Sequence, residues 1–222
     1  MTAFRQVKNF IFDLDGTIAD TLPDLTSSMN SMLTHFGLEN VSPDKVRANL
    51  GRGSLNVIRA VLPAERAADE TFLKEAHRYY YNEYLNNYLN ETKPYPCALE
   101  GLELMKKKGA KIAVLSNKDT AMVKGICEKL FPSGLFDAVY GFDGRYSHKP
   151  DPSSSLAIAA EFGAPACEFA FVGDSEVDMQ TAGNAGMQKV GVNWGFRNVP
   201  LLLDNGAIKI LYSSKDFEEM VL

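Results

Sequence analysis

The stretch Phe10-Ile11-Phe12-Asp13-Leu14-Asp15-Gly16-Thr17 decides how this chain is read. The segment from Val7 to Phe12 is rich in β-branched and aromatic residues, the composition of a buried strand. Residues i and i+2 of an extended chain point the same way, so Asp13 and Asp15 are expected to share one face. Gly16 then lets the backbone turn away from the strand end. Ligands of open α/β sheets bind at such carboxyl ends. Two like charges at a buried strand end need a cation or a shared proton. A solvated turn after a strand would also contain Asp-Gly, so the rest of the chain has to decide between the two.

Beyond Thr17 the pattern turns helical, from Ile18 to about Asn90. Asp20 or Thr21 can cap a helix carrying Leu25, Met29, Met32, Leu33 and Phe36, with Gly37 as its stop. A second helix starts near Pro43 and breaks at Gly51-Arg52-Gly53, and Ser54 can cap the next one, with Leu55, Ile58 and Leu62. Phe72, Ala76, Tyr80, Tyr84 and Tyr88 then recur along a longer helix, a stripe read as helix packing ahead of a substrate box. After Pro94 and Pro96 the rhythm changes. Helices at 99–108, 120–130, 152–162 and 177–185 alternate with strands at 111–115, 138–140, 169–172 and 189–192. Such alternation implies a parallel sheet with helices on both faces, and makes the all-helical segment an insertion after the first strand.

Bulk properties narrow the function classes. With 222 residues, 45% of them hydrophobic, the chain can build one large domain or a core plus a small one. A formal net charge of −5 argues against a nucleic-acid partner, so an anionic substrate would need a local positive site. Cys97, Cys127 and Cys167 are far apart, odd in number and without a CxxC, so neither disulfides nor a zinc site are expected. No apolar run approaches membrane-spanning length, and the N-terminus enters a strand in place of a signal peptide.

Asp13 and Asp174 both follow apolar strands, so a parallel sheet would gather them at one edge, and Asp178 makes that edge more acidic. Such an oxygen-rich site suits a hard divalent cation, magnesium first. Lys149 and the backbone amides near Ser116 and Asn117 would offer positive potential to a phosphoryl group. A carboxylate there can act as a nucleophile, and Asp15 has the spacing to protonate a leaving oxygen and later activate water. Arg52 could grip a substrate carboxylate through two parallel hydrogen bonds, or be an exposed turn residue. Lys118 reads as a surface residue at a helix start and His148 as a solvated loop residue. His35 and His77 read as structural or exposed, and Cys97 as packing.

Asp13-Leu14-Asp15-Gly16-Thr17 resembles the first motif, DxDGT, of the haloacid-dehalogenase-like hydrolases. Three stretches resemble further motifs of that family, in the same order: Ser116-Asn117-Lys118, Lys149-Pro150, and Gly173-Asp174-Ser175-Glu176-Val177-Asp178. The likeness spans nearly the whole chain. It implies an α/β fold: a Rossmann-like parallel-sheet core at residues 1–17 and 91–222, with a helical cap of the C1 type inserted at 18–90. It also implies Asp13 as nucleophile and metal ligand, and Asp15 as acid/base, lending its backbone carbonyl to the metal. Ser116 and Asn117 would hold the phosphoryl group, and Lys149 would neutralise charge on it and on Asp13. Asp174 would bind Mg2+, with Asp178 ligating through water or orienting the other ligands.

The order and texture are most similar to phosphoglycolate phosphatases, through Asp13 to Thr21, the Gly51-Arg52-Gly53 loop, and Gly195-Phe196 followed by 201–207. The activity this implies is magnesium-dependent hydrolysis of a small phosphorylated metabolite through an aspartyl-phosphate. The setting expected is the cytoplasm, with a monomer or homodimer and no nucleic-acid or membrane partner. Pyrophosphatase, sugar-phosphate phosphatase and phosphomutase of the same family are alternatives. A 2-haloacid dehalogenase would typically lack Asp15, and a non-catalytic binding module would be expected to have lost motif residues.

Overall fold

The computed structural model describes residues 3–51 and 53–222. Strand β1 (Asn9–Phe12) is buried along its whole length, as the apolar run from Phe10 to Phe12 requires. The chain passes through β2 (Ala19–Asp20) into five helices, α1 (Leu22–His35), α2 (Pro43–Asn49), α3 (Ser54–Val61), α4 (Ala64–Ala68) and α5 (Glu70–Asn87). It returns through β3 (Lys93–Pro94), and from there helices and strands alternate. The order is α6 (Pro96–Lys107), β4 (Lys111–Asp119), α7 (Thr120–Leu130), β5 (Ala138–Phe142), α8 (Ser153–Phe162), β6 (Phe169–Gly173), α9 (Glu176–Ala185) and β7 (Gln188–Val192). Three short elements close the chain: α10 (Val199–Asp204), β8 (Lys209–Leu211) and α11 (Ser214–Glu218).

Two compact units result: Asp20–Lys93 is one, and the chain up to Ala19 together with Pro94–Leu222 is the other. The second holds a six-stranded sheet in the order β5-β4-β1-β6-β7-β8, and every pairing in it is parallel. β1 is central, with Phe12 opposite Val114 of β4 on one side and Val172 of β6 on the other. The chain winds outward from β1 to β4 and β5, then crosses to β6 and winds the other way. The β1/β6 junction is therefore a topological switch point, where the loops at the carboxyl ends part and leave a crevice.

Alternation along β1 splits the core into two layers. Ile11 packs with Ala113, Ile158, Phe162, Phe169, Phe171 and Ala182. Phe12 faces the other side, where Phe217 of α11 stacks on it at 5.8 Å between ring centroids and on Trp194 at 6.1 Å. Both layers are helix-covered, which accounts for the absence of polar alternation in β1. The helical unit is built differently, chiefly from apolar stripes along its two longest helices, α1 and α5. Leu25, Met29, Met32 and Leu33 of α1 are buried, as are Phe72, Ala76, Tyr80 and Tyr84 of α5. Tyr80 stacks on Tyr84 at 5.9 Å, so the tyrosine stripe is packing.

Local corrections have local causes. Gly53, with φ +85°, is the N-cap of α3, and the Ser54 hydroxyl bonds His77 Nε2 at 2.8 Å where capping was expected. Thr21 stands at the N-cap of α1 but its side chain makes no capping bond there, and Asp20 Oδ1 accepts the Leu22 N–H at 3.3 Å. β4 runs to Asp119, four residues past the expected end at Leu115, because its polar tail is held by partners distant in sequence. Helix α4 and the closing elements α10, β8 and α11 lie outside the expected pattern.

Candidate active site

The backbone at the end of β1 builds the first part of the site. The Asp13 N–H donates to the Val172 carbonyl at 2.9 Å, extending the β1–β6 pairing one residue beyond the strand. The chain then reverses on the Leu14 carbonyl, which accepts the N–H groups of Ile18 and Ala19 at 3.1 and 3.0 Å. Gly16 sits in this turn at φ +82°, and a Cβ there would come within 2.5 Å of Asp174 Oδ2. Both the backbone sign and the space therefore demand glycine.

Three buried carboxylates meet at this edge. Oxygens of Asp13, Asp174 and Asp178 lie within 4.8 Å of one another. Asp174 leaves the end of β6, where its Oδ1 accepts the Thr17 hydroxyl at 3.1 Å and its Oδ2 the Phe196 N–H at 2.6 Å. Asp178 is on the first turn of α9, and its Oδ2 accepts the Ser175 N–H and hydroxyl at 3.0 and 2.6 Å in a capping box. Lys149, with its side chain 3% exposed, places its ammonium 2.8 Å from Asp13 Oδ1 and 2.7 Å from Asp178 Oδ1. The ammonium also lies 5.6 Å from the centroid of the Phe171 ring. Asp13 Oδ1 takes a second hydrogen bond from the Leu14 N–H at 2.7 Å.

Electrostatics suits this arrangement to a cation. Burial raises the Asp13 carboxyl well above the ordinary range, and Asp178 adds to that while Lys149 opposes it. Burial and Asp178 push Asp174 up to about 7. Burial works against the Lys149 ammonium, but Asp13 and Asp178 outweigh it and raise its pKa. Hard oxygen donors, already desolvated and short of positive charge, fit a small divalent cation, whose charge would favour the ionised forms of Asp13 and Asp174.

The second part of the site hangs on the tail of β4, whose residues alternate in direction. Asn117 turns to Lys149: its Oδ1 accepts the Lys149 N–H at 2.7 Å and its Nδ2 donates to the Lys149 carbonyl at 3.1 Å. Ser116 and Lys118 turn to Asp15. The Ser116 hydroxyl donates to Asp15 Oδ2 at 3.2 Å, and Lys118 Nζ lies 2.7 Å from Asp15 Oδ1. The Lys118 side chain is only 8% exposed. Its reading as a surface residue is corrected: an ammonium so placed needs an acidic partner, and Asp15 is that partner.

Comparison with known proteins fits this geometry. The family model for haloacid dehalogenase-like hydrolases matches residues 10–192, from β1 to the end of β7. The chain belongs to the haloacid dehalogenase-like hydrolase family. A phosphoglycolate phosphatase of Aquifex aeolicus is 34% identical over 186 residues, covering 84% of each chain. One from Haemophilus influenzae is 33% identical over 209 residues, covering 90% of this chain and 92% of its own. The crystal structure of a protein from Lactobacillus delbrueckii subsp. bulgaricus, provisionally assigned as a phosphoglycolate phosphatase, superposes with a TM-score of 0.90 at 31% identity. That superposition covers 98% of this chain and 99% of the other.

The hydrolase core thus brings together Asp13, Lys149, Asp174 and Asp178 around one point, with Asp15 and Ser116 beside them. Asp15 keeps its side chain outside the three-acid cluster, on Lys118 and Ser116. Asn117 commits its side chain to the backbone of Lys149. Arg52 lies outside the described residues. His148 is exposed and stacks on Phe142 at 3.7 Å. Burial raises the Cys97 thiol, in keeping with packing. Sequence reasoning passed over Thr17, Ser175 and the Phe196 N–H, and assigned Lys118 to the surface. Thr17 and Ser175 carried a signal, since both stand inside quoted motifs and both have a hydroxyl at the edge of an acidic cluster. Among the described residues no helix is long and apolar enough to cross a membrane.

Proposed function

We propose that this hydrolase is a magnesium-dependent phosphomonoesterase that passes the phosphoryl group through Asp13. The observation that carries the reading is the buried triangle of Asp13, Asp174 and Asp178, clasped on one side by Lys149. Among the described residues the Leu14 N–H and the Lys149 ammonium both meet Asp13 at Oδ1, which makes Oδ2 the oxygen offered to phosphorus. The three acids and the Asp15 backbone carbonyl would hold magnesium, which supplies positive charge against the anionic phosphoryl group.

Lys149 and the Ser116 hydroxyl bind phosphoryl oxygens and orient phosphorus toward Asp13. Asp13 Oδ2 attacks, the bond from phosphorus to the ester oxygen breaks, and Asp15 gives that oxygen a proton as the alcohol leaves. Asp15, now a carboxylate, takes a proton from water as the water attacks phosphorus of the aspartyl-phosphate. Inorganic phosphate departs and Asp13 is restored. The second carboxyl group two residues after the nucleophile supports phosphoryl transfer over dehalogenation, since only the former has a leaving oxygen to protonate.

The substrate proposed is a small carboxylated phosphate ester of the phosphoglycolate type. Support comes from relatives that carry that name at 34% and 33% identity over most of the chain. Residues 20–93 are the proposed cap, with Arg52 the proposed carboxylate grip. The test is a panel of phosphoglycolate, sugar phosphates, pyrophosphate and an aryl phosphate, each assayed with magnesium and with chelator. Magnesium-dependent phosphate release, highest kcat/KM for phosphoglycolate, and a KM rise in Arg52→Ala that is larger for carboxylated esters than for the aryl phosphate are expected. Undiminished turnover in chelator overturns the metal role, and a preference for pyrophosphate overturns the substrate.

A further inference from the structure

We infer that Lys118 is a positioning residue for Asp15, holding the acid/base in one place through both halves of the reaction. The inference rests on the proposed role of Asp15 as the group that protonates the leaving oxygen.

The tail of β4 sets the geometry. The Lys118 N–H donates to the Ser116 hydroxyl at 3.1 Å, which fixes the turn between the two residues. Asp119 next to it caps α7 by accepting the Ala121 N–H at 2.9 Å, anchoring the same segment from its other end. From this braced backbone the Lys118 side chain reaches Asp15 Oδ1 at 2.7 Å while Ser116 holds Oδ2 at 3.2 Å. Each oxygen of Asp15 therefore has its own donor on β4. Ser116 has a second duty, to the phosphoryl group. Once that group is bound, the Lys118 contact at Oδ1 still holds Asp15 beside the leaving oxygen. Lys149 cannot substitute, because its ammonium is divided between Asp13 and Asp178.

A group that acts by aiming a proton donor has a distinctive kinetic signature. The donor matters most when the leaving group is a poor one, such as an alkyl alcohol. It matters little for an aryl oxide that departs without a proton. The ratio kcat/KM reports the reaction through departure of the leaving group, so it isolates that step.

The test compares Lys118→Met, Asp15→Asn and the double variant with the wild-type enzyme, using an alkyl phosphate and a nitrophenyl phosphate. Lys118→Met is expected to lower kcat/KM by ~100-fold on the alkyl ester, the scale of general acid catalysis, and by far less on the aryl ester. Lys118→Arg, which keeps the cation, is expected to recover part of the loss. In the Asp15→Asn background, Lys118→Met is expected to add nothing, since the residue acts through Asp15. Equal losses on the two esters, or losses that multiply in the double variant, overturn the inference and place Lys118 on the substrate or in the scaffold. If Asp15→Asn alone keeps wild-type activity on the alkyl ester, the acid/base reading itself fails, and Lys118 with it. Thermal melts accompany every variant, and Lys118→Gln carries the same comparison if the methionine variant does not fold.

Discussion

Replacing Lys149 by methionine removes an ammonium that two buried acids share, while keeping the length of the side chain. At an effective dielectric of about 20, two unit charges ~2.8 Å apart attract by ~6 kcal/mol. Desolvation cancels part of this, but breaking one side of a buried ion pair still costs ~3–5 kcal/mol, because the remaining charges lose their partner. For a chain of this size ~1 kcal/mol moves Tm by about 2–4 °C, so a fall of ~6–20 °C is expected near pH 8. The loss should shrink on acidification. A carboxyl whose folded pKa is raised contributes stability that is complete below its unfolded value and is lost as pH rises through the folded one. Asp13 is raised already by burial and Asp178, and without Lys149 it goes higher, so the variant regains stability as Asp13 takes a proton. The wild-type-to-variant gap in metal-free melts should therefore be widest at pH 8 and narrower at pH 5. Phosphate release should fall ~10²–10³-fold, as when a donor to developing charge is removed. A variant with wild-type Tm at both pH values and wild-type turnover would refute the electrostatic argument.

Asp174, pushed up to about 7, makes the metal-free enzyme lose up to ~4 kcal/mol of stability as pH climbs from about 4 through 7. Magnesium should reverse this, raising Tm more at pH 8 than at pH 5 because protons compete for the same oxygens; equal shifts in scanning fluorimetry would contradict it. Gly16→Ala forces a Cβ to within 2.5 Å of Asp174 Oδ2 at a φ of +82°. It should weaken magnesium binding ~10–100-fold, read as the activation constant, and an unchanged constant would show that Asp174 does not need its present position. Phe217→Ala empties the space between Phe12 and Trp194 and should cost ~3–5 kcal/mol of stability by denaturant melts, with KM unchanged. A variant of undiminished stability would mean that α11 does not close the core.

The fold and most of the site could be read from the chain because their determinants are local. An apolar run ending in two acids two residues apart announces a buried strand with a charged end, and the helix–strand alternation after Pro96 announces a parallel sheet. Lys118 was misread because its environment is set by Asp15, which only the pairing of β4 with β1 brings near. Ser54 was misread for a similar reason, since a bond to His77 competes with the cap. The closing elements are short and weakly patterned, yet Phe217 is fully buried against the central strand. Their order comes from the core they cover more than from their own periodicity.

The central claim is that an oxygen of Asp13 attacks phosphorus. Mixing enzyme, magnesium and a phosphate ester, quenching in acid within one turnover, and mapping the phosphoryl group by peptide mass spectrometry tests it most directly. The account predicts the phosphoryl group on Asp13, absent in Asp13→Asn, which should fold normally and release no phosphate. A phosphorylated residue elsewhere in the chain, or an Asp13→Asn enzyme that turns over at the wild-type rate, would contradict it.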